Sequence, residues 1–174
     1  MEAAPWGPTA LVTIDVQVDT LDGQPLEIGG TSAALPRMAE LCTRFRSAQR
    51  PIVHVVRLYL ADGSNAETSR QSLVRGPVPI LRPGTPGRMI APELVPSAAS
   101  DLDDDLLLAG GIQELGPSEV ANCPRTSMYE ASERDYGVVL VDDAISGLYD
   151  RGRQELTGIG VECRPTQAIL DRVG

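Results

Sequence analysis

Short apolar runs alternate with amphipathic stretches along this chain, which is the pattern of strands and helices following one another. Residues 10–16 (ALVTIDV) and 51–58 (PIVHVVRL) are compact and rich in β-branched residues, as is typical of strands in a parallel sheet covered on both faces. Between them a helical spacing predicts an amphipathic helix over 33–48, marked by Leu35, Met38, Leu41, Cys42 and Phe45. Cys42 therefore belongs to the core, and the strand–helix–strand order predicts a βαβ unit.

The remaining pattern extends this alternation to the end of the chain. Residues 61–96 are rich in Pro and Gly and predict a long loop with short helical turns, a length usual for a functional loop or lid. Apolar runs predict strands over 106–110, 137–141 and 160–164. Helices are predicted over 125–136, 146–156 and 166–173, the last with Thr166 as its N-cap. We therefore expect one α/β domain spanning residues 1–174.

Composition and charge exclude several classes of protein. The net charge of −9 argues against binding to nucleic acid or to anionic membranes, because both need a basic surface. The sequence has no apolar run of about 20 residues that could span a membrane, and its first residues lack the features of a signal peptide. Three widely spaced cysteines indicate free thiols, with neither a disulfide framework nor metal-type spacing, so we expect a cytoplasmic protein.

The segment around Cys123 carries the first candidate chemistry. Pro124 follows it, and residues 125–136 contain no Gly or Pro. Proline is favoured at the first helical position, which places Cys123 at the N-cap, near unpaired N–H groups and the positive end of the helix dipole. A thiol ionises more easily there. The alternative is a small buried residue that happens to precede a helix.

Polar residues at the ends of the first two strands form a second candidate group. Asp15 ends the first strand, and ligands of open α/β sheets bind outside the carboxyl ends of strands. Arg57 and Tyr59 end the second strand and could bind an anionic or carbonyl group, although each of the three could equally be a solvated strand end. His54 could be a general base, but a half-buried strand histidine is favoured. A solvated helix start or turn is likewise favoured over a cation site for the acidic run 100–105.

Three motifs occur in order along the chain. The first is IDVQVD at 14–19, which closes with LDG at 21–23. The second is RPGTPG at 82–87, followed by APEL. The third runs from Cys123 along a helix to DDA at 142–144. Together they resemble the isochorismatase-like cysteine hydrolases, a family that includes nicotinamidase and N-carbamoylsarcosine amidohydrolase.

The resemblance implies a fold, an activity and site residues. The family fold is a three-layer α/β arrangement with a mainly parallel sheet flanked by helices. Asp15 would be the acid/base carboxylate and Cys123 the nucleophile that attacks a small amide or related C–N bond. A cis peptide that shapes the oxyanion hole in many members would fall within residues 119–121. A small-molecule substrate and a homo-oligomer are also implied. The candidates for substrate contacts are Gln17, Asn122 and Arg125 in or beside the matched motifs, together with Arg57 and Tyr59 at the end of the second strand.

The chain departs from the family at its catalytic lysine. All fifteen basic residues are arginine, and the gap between Pro96 and Cys123 is too short for the usual lysine-bearing strand, helix and further strand. We interpret this as an internal deletion of a few tens of residues, roughly one helix with one or two strands. The strand over 106–110 either fills the missing position or leaves the sheet one strand short. Arg57 or Arg125 could supply positive charge, although a solvated helix face is favoured for Arg125.

Two hypotheses about function follow, beside a third in which this chain is a shortened version of a competent enzyme. The first is a cysteine hydrolase carried by Cys123 and Asp15, with activity impaired by the missing lysine. The second is a non-catalytic family member that serves in binding or assembly. The metal-binding Asp/His set of nicotinamidases has no counterpart around residues 57–64, so we expect neither a metal nor another cofactor.

Overall fold

Five short strands form the sheets in the part of the chain that the structure describes. The structure, a computed structural model, describes residues 7–95, 106–109 and 122–173, with only the backbone for 106–109 and Asn122. Strands β1 (Leu11–Ile14), β2 (Ile52–Val56) and β3 (Leu106–Ala109) form a parallel sheet in the order β1-β2-β3. Strands β4 (Val139–Val141) and β5 (Glu162–Arg164) form a second parallel pair. All five predicted strands are present, each shorter than predicted.

The helices agree with the predictions less closely than the strands do. They are α1 (Thr31–Ser47), α2 (Gln71–Val74), α3 (Asn122–Ser132), α4 (Asp150–Gly158) and α5 (Thr166–Leu170). The predicted loop over 61–96 contains α2 and two 3-10 turns, Pro86–Arg88 and Pro92–Leu94. A third 3-10 turn, Val18–Thr20, follows β1.

Two predicted helix starts were wrong. Helix α3 begins at Asn122, so Cys123 lies inside its first turn and is not the N-cap. The helix can begin before Pro124 because N–H groups of the first turn have no intrahelical acceptor in any case. Thr166 is the first residue of α5, whose N-cap is Pro165. The Thr166 N–H and hydroxyl both donate to the Asp143 carboxylate, at 2.8 and 2.7 Å, so this side chain does not cap its own helix.

Strand β4 shows how the layers are arranged. Leu140 packs in one cluster with Met128 of α3 and Leu156 of α4. Its neighbours Val139 and Val141 pack against the other cluster, formed mainly by α1, β2 and α5. Successive strand residues point to opposite faces, so helices cover both faces of β4 and the fold has three layers. The prediction of Cys42 as a core residue is confirmed, since it is fully buried in the second of these clusters.

The segment after β1 is fastened to the Pro- and Gly-rich loop. The backbone N–H of Val18 donates to Met89 O at 2.9 Å, and that of Ala91 donates to Val16 O at 3.0 Å. Gln17 and Ile90 form an isolated antiparallel bridge between these two bonds. The first two sequence motifs therefore lie side by side, next to the carboxyl ends of β1 and β2. None of the helices described is both long and apolar enough to cross a membrane.

Candidate active site

Asp15 and Arg57 lie at the same edge of the sheet. Asp15 follows the last residue of β1, Arg57 follows the last residue of β2, and the two strands are parallel neighbours. The Asp15 N–H continues the ladder by donating to Val55 O at 2.9 Å. Their side chains therefore leave the sheet at adjacent points, at its carboxyl edge.

The backbone turns sharply at Asp15. Its φ of 55° lies in the left-handed region, which Asp adopts more readily than most residues. The Thr20 hydroxyl donates to the Asp15 carbonyl at 2.8 Å and holds this turn. The turn ends the strand and directs the chain into the 3-10 turn that follows.

Gln17 supports Arg57 from behind. Its amide is fully buried and pairs with the backbone of Arg57 as a neighbouring strand would. Oε1 accepts from the Arg57 N–H at 2.7 Å, and Nε2 donates to Arg57 O at 3.0 Å. The same Nε2 donates to Arg88 O at 2.7 Å. The Gln17 side chain is thus hydrogen-bonded to the backbone of both Arg57 and Arg88. Its contact with substrate stays a prediction.

The Arg57 guanidinium joins the two predicted catalytic residues. Its side chain is only 2% exposed. Nη2 donates to Asp15 Oδ2 at 3.1 Å and to Cys123 Sγ at 2.6 Å. One nitrogen therefore contacts both the carboxylate and the thiol sulfur, although 66 residues separate Arg57 from Cys123 in the sequence.

The other terminal nitrogen faces Tyr59 and Glu67. Arg57 Nη1 forms a buried ion pair with Glu67 and donates to the Tyr59 hydroxyl at 3.1 Å. That hydroxyl donates to Glu67 Oε2 at 2.6 Å. Burial raises the pKa of the Tyr59 phenol, and the charges and hydrogen bonds of Arg57 and Arg70 offset this only in part. Tyr59 is fully buried, so it acts within this cluster.

Glu67 is the site residue that the sequence analysis missed. It lies in the loop between β2 and α2, where no periodicity or motif distinguishes one polar residue from the next. Its burial is the distinguishing property, because a carboxylate is rarely buried without a charged or hydrogen-bonding partner. Burial of this kind becomes visible only once the loop is folded over Arg57.

Cys123 and Asn122 open helix α3. The Cys123 side chain is buried, and the first turn of a helix concentrates unpaired N–H groups around it. The Asn122 side chain and residues 119–121, where a cis peptide was expected, lie outside the described residues. The helix start can hold an anion that forms next to the Cys123 sulfur.

Arg125 lies in a different cluster. It pairs with Glu155 of α4 and its guanidinium stacks 5.8 Å from the centre of the Tyr129 ring. A hydrogen bond with Tyr129 and the charge of Glu155 raise the pKa of Arg125. Of the two arginines considered as a source of positive charge at Cys123, the one in contact with the sulfur is therefore Arg57.

His54 lies in its predicted strand, and the expectation that the chain holds no metal stays a prediction. His54 is buried in β2, with Nδ1 2.6 Å from the Thr13 hydroxyl, as the strand-histidine interpretation favoured. Within 7–95 and 122–173, no three His, Cys, Asp or Glu side chains are grouped to hold a metal ion. The acidic run 100–105 lies outside the described residues.

Together, the described contacts form a buried site in which a guanidinium bridges a thiol and a carboxylate. Such a site can stabilise a thiolate by charge, and it holds a carboxylate and the sulfur against the same guanidinium nitrogen. The separate surface groove of about 610 Å³, lined by residues including Gly23, Leu73 and Val78, contains none of the site residues.

Comparisons with known proteins identify the family and the fold. The Isochorismatase domain model matches residues 9–104, more than half of the chain, and ends before Cys123. A search of curated protein sequences finds no significant match. Among solved structures, the chain is similar to an isochorismatase family protein from Desulfovibrio vulgaris, with 28% identity and a TM-score of 0.79, covering 93% of this chain and 96% of that one.

Two more distant structures share the fold. N-carbamoylsarcosine amidase from Thermoplasma acidophilum is 18% identical, with a TM-score of 0.67 and coverage of 90% of this chain and 95% of that one. Nicotinamidase from Bacillus subtilis is 16% identical, with a TM-score of 0.69 and coverage of 90% and 99%. At these identities the likeness concerns the fold, and it agrees with the three-layer α/β arrangement predicted from the sequence motifs.

Proposed function

The chain belongs to the isochorismatase family, and from this we propose that it is a cysteine hydrolase in which Cys123 attacks a small amide or related C–N bond and Asp15 moves the protons. The family match and the hydrolase relatives support the coarse assignment. The observation that carries the finer one is the contact of Arg57 Nη2 with both Asp15 Oδ2 and Cys123 Sγ.

The proposed reaction has two halves. In the first, Asp15 accepts the proton of the Cys123 thiol, and the sulfur attacks the carbonyl carbon to form a tetrahedral oxyanion. The oxyanion collapses, the C–N bond breaks, and the leaving amine takes the proton from Asp15, which leaves a thioester. In the second half Asp15 accepts a proton from water as the water attacks the thioester. The C–S bond then breaks, and the acid product and the Cys123 thiol are released after proton return.

Arg57 supplies the positive charge in this proposal. The guanidinium stays charged, so it cannot take part in proton transfer, and Asp15 is the proton carrier in both halves. A cation in contact with sulfur favours the thiolate, which is the nucleophilic form. The backbone N–H groups of the first turn of α3 would hold the oxyanion. This division of roles is compatible with a chain that contains no lysine.

The test uses the two other cysteines as background. In a Cys42→Ala, Cys163→Ala protein, the rate of Cys123 alkylation by iodoacetamide is measured against pH, and ammonia or amine release is followed with a panel of small amides. The panel includes nicotinamide and N-carbamoylsarcosine, the compounds that the relatives' names suggest. We expect Cys123 to react with iodoacetamide at pH values at which a free thiol is protonated and unreactive. We also expect turnover, and its loss in both Cys123→Ala and Asp15→Asn.

Two results would contradict the proposal. Turnover that survives Cys123→Ala would exclude this residue as the nucleophile. A Cys123 that reacts like a free thiol, with no turnover on any amide, would favour the second candidate function, a non-catalytic member in a binding or assembly role. The absence of a lysine from the sequence is the observation that favours this non-catalytic role.

A further inference from the structure

We infer that Glu67, together with Tyr59, is a positioning residue that fixes the Arg57 guanidinium and limits how much of its charge reaches Cys123. This inference rests on the proposed function, since it concerns the same thiol and carboxylate. Neither Glu67 nor Tyr59 contacts Cys123 in the described contacts; both act through Arg57.

The geometry divides the guanidinium into two sides. Nη1 faces Glu67 and Tyr59, and Nη2 faces Asp15 and Cys123. The guanidinium is planar and rigid, so holding one terminal nitrogen fixes the position of the other. Tyr59 closes the first side into a triangle, because its hydroxyl both accepts from Arg57 and donates to Glu67. Nη2 is thereby held in its place between the thiol and the carboxylate.

The charges of the cluster balance when Cys123 and Asp15 carry one proton between them. Arg57 and Arg70 are positive, and Asp15 and Glu67 are negative, so the cluster is neutral while Cys123 carries its proton. Moving that proton from Cys123 to Asp15 keeps the cluster neutral. Losing the proton to solvent adds a negative charge, which Glu67 opposes. Glu67 therefore favours a proton that is shared between Cys123 and Asp15 over a permanent thiolate.

The charged groups whose contacts around Cys123 are described lie on three sides of the sulfur and of Arg57. Arg57, at the end of β2, contacts the sulfur, and Asp15, at the end of β1, contacts the same Arg57 nitrogen. Tyr59 and Glu67 contact the other terminal nitrogen of Arg57, and Arg70 interacts with Tyr59. On helix α3 itself, Arg125 pairs with Glu155. The alternative role for Glu67 is purely structural, as the partner that any buried arginine requires. The two roles predict different results at Cys123 when Glu67 is neutralised.

The experiment replaces Glu67 by its neutral isostere. In the Cys42→Ala, Cys163→Ala background, the rate of Cys123 alkylation by iodoacetamide is measured against pH by intact mass for Glu67→Gln. Gln keeps an acceptor for Arg57 but removes the opposing charge. We expect the midpoint of the alkylation profile to move to lower pH by about one unit, which is roughly tenfold faster alkylation at a fixed pH below both midpoints. A purely structural Glu67 predicts an unchanged midpoint or one that moves to higher pH, and either result overturns the inference.

Two variants serve as controls. Glu155→Gln removes the α4 carboxylate that pairs with Arg125, and Arg125 lies on the same helix as Cys123. We expect the midpoint of its alkylation profile to be unchanged. A shift as large as that of Glu67→Gln would transfer the effect to Arg125 and overturn the inference. Glu67→Asp keeps the charge but withdraws it from Arg57, so its midpoint should move in the same direction by a smaller amount. It also provides the test if Glu67→Gln does not fold, and an upward or absent shift would then count against the inference.

The readouts separate this inference from the proposed function. Alkylation needs no turnover, so a missing shift overturns the role of Glu67 and leaves the hydrolase proposal standing. A shift without turnover on any amide supports the role of Glu67 and counts against the hydrolase. Where turnover is found, Glu67→Gln should move the pH profile of kcat/KM in the same direction with KM unchanged, because Glu67 does not touch substrate. A change confined to KM overturns the positioning role.

Discussion

At the scale of single residues, Arg57 shows how burial changes the value of an ion pair. Its side chain and that of Glu67 are almost completely buried, whereas the Arg134–Glu130 pair lies one helical turn apart on the exposed surface of α3 and the residues after it. Water screens the exposed pair but cannot reach the buried one. The same two residue types therefore make very different contributions to stability.

This contrast gives a prediction about stability. Arg57→Met leaves the buried carboxylate of Glu67 and the partly buried carboxylate of Asp15 without their cation, and we expect the free energy of unfolding to fall by about 3–5 kcal/mol. The matched variant Arg134→Met removes the exposed pair and should change it by less than about 1 kcal/mol. Urea unfolding followed by circular dichroism measures both. Equal losses in the two variants would contradict the buried pairing of Arg57.

At the scale of elements, the contact between the turn after β1 and the Pro- and Gly-rich loop depends on one glycine. A Cβ added at Gly87 would overlap with the Asp19 carboxylate, far inside van der Waals contact. The Asp19 carboxylate cannot move away easily, because its Oδ2 accepts from the Leu81 N–H at 2.6 Å and the residue is buried. The close approach at Gly87 lets the loop lie against the end of β1.

We therefore predict that Gly87→Ala is strongly destabilising. The added methyl must push the loop away from Asp19, and the expected loss is at least about 2 kcal/mol of unfolding free energy. Gly137→Ala is the control, since a Cβ there meets nothing within 4 Å. Thermal unfolding of both variants tests this. A Gly87→Ala protein as stable as Gly137→Ala would mean that the loop is not packed against Asp19.

A second link between elements joins the end of β4 to the start of α5. Burial acts to raise the pKa of the Asp143 carboxyl, but hydrogen bonds from the Thr166 hydroxyl and N–H, with the charge of Arg37, bring it below its usual value. A carboxylate whose pKa is lowered by folding stabilises the native state above its unfolded pKa of about 3.9. That contribution is lost as pH falls through the lowered pKa of the folded state.

The corresponding prediction concerns the pH dependence of stability. At pH 7 Asp143→Asn should be less stable than the wild type, and the difference should disappear as pH falls below about 4 and through the lowered pKa. Urea titrations at several pH values between 7 and 3 measure the difference. Thr166→Val, which removes one of the two donors, should show a smaller difference with the same pH dependence. A difference that grows towards acid pH would contradict the assignment.

At the scale of the whole molecule, acidic residues determine the net charge of −9 and a sequence pI of about 4.6. Proteins repel one another least when their net charge is near zero. We predict a solubility minimum close to pH 4.6, measured as the protein left in solution after dialysis at low salt across pH 3.5 to 7. Addition of salt should weaken the dependence on pH, because it screens the charges. A solubility minimum well above pH 6 would contradict this, because it would mean that net charge does not control the association of the protein.

The sequence predicted the parts of this molecule that depend on local pattern. The strand at 51–58 and the core position of Cys42 follow from apolar runs and helical spacing, and both are present. The helix starts at Cys123 and Thr166 were misplaced. Helix α3 begins before Cys123 because its first turn tolerates Pro124, and Thr166 donates to the distant Asp143 carboxylate and does not cap α5. Such contacts cannot be predicted from the local sequence pattern.

The candidate site divides in the same way. Asp15 and Arg57 could be predicted because each follows an apolar strand and parallel strands end at one edge. Cys123 could be predicted from its motif, and its roles with Asp15 stay proposals. Glu67 could not be predicted, since its partner Arg57 meets it only after the loop folds back over the sheet. The internal deletion expected between 96 and 123 also stays a prediction, as most of that segment lies outside the described residues.

The two contacts of Arg57 Nη2 have a consequence for the energy barrier of the proposed first step. In water, a charge that moves from one atom to another forces surrounding dipoles to reorient, and this reorganisation is a large part of the barrier. Here the negative charge would pass from Asp15 Oδ2 to Cys123 Sγ, two atoms that already contact the same nitrogen. The cation need not follow the charge, because it already lies beside both the starting and the final position. The transfer would then take place in an environment that is prepared for either state before the substrate arrives.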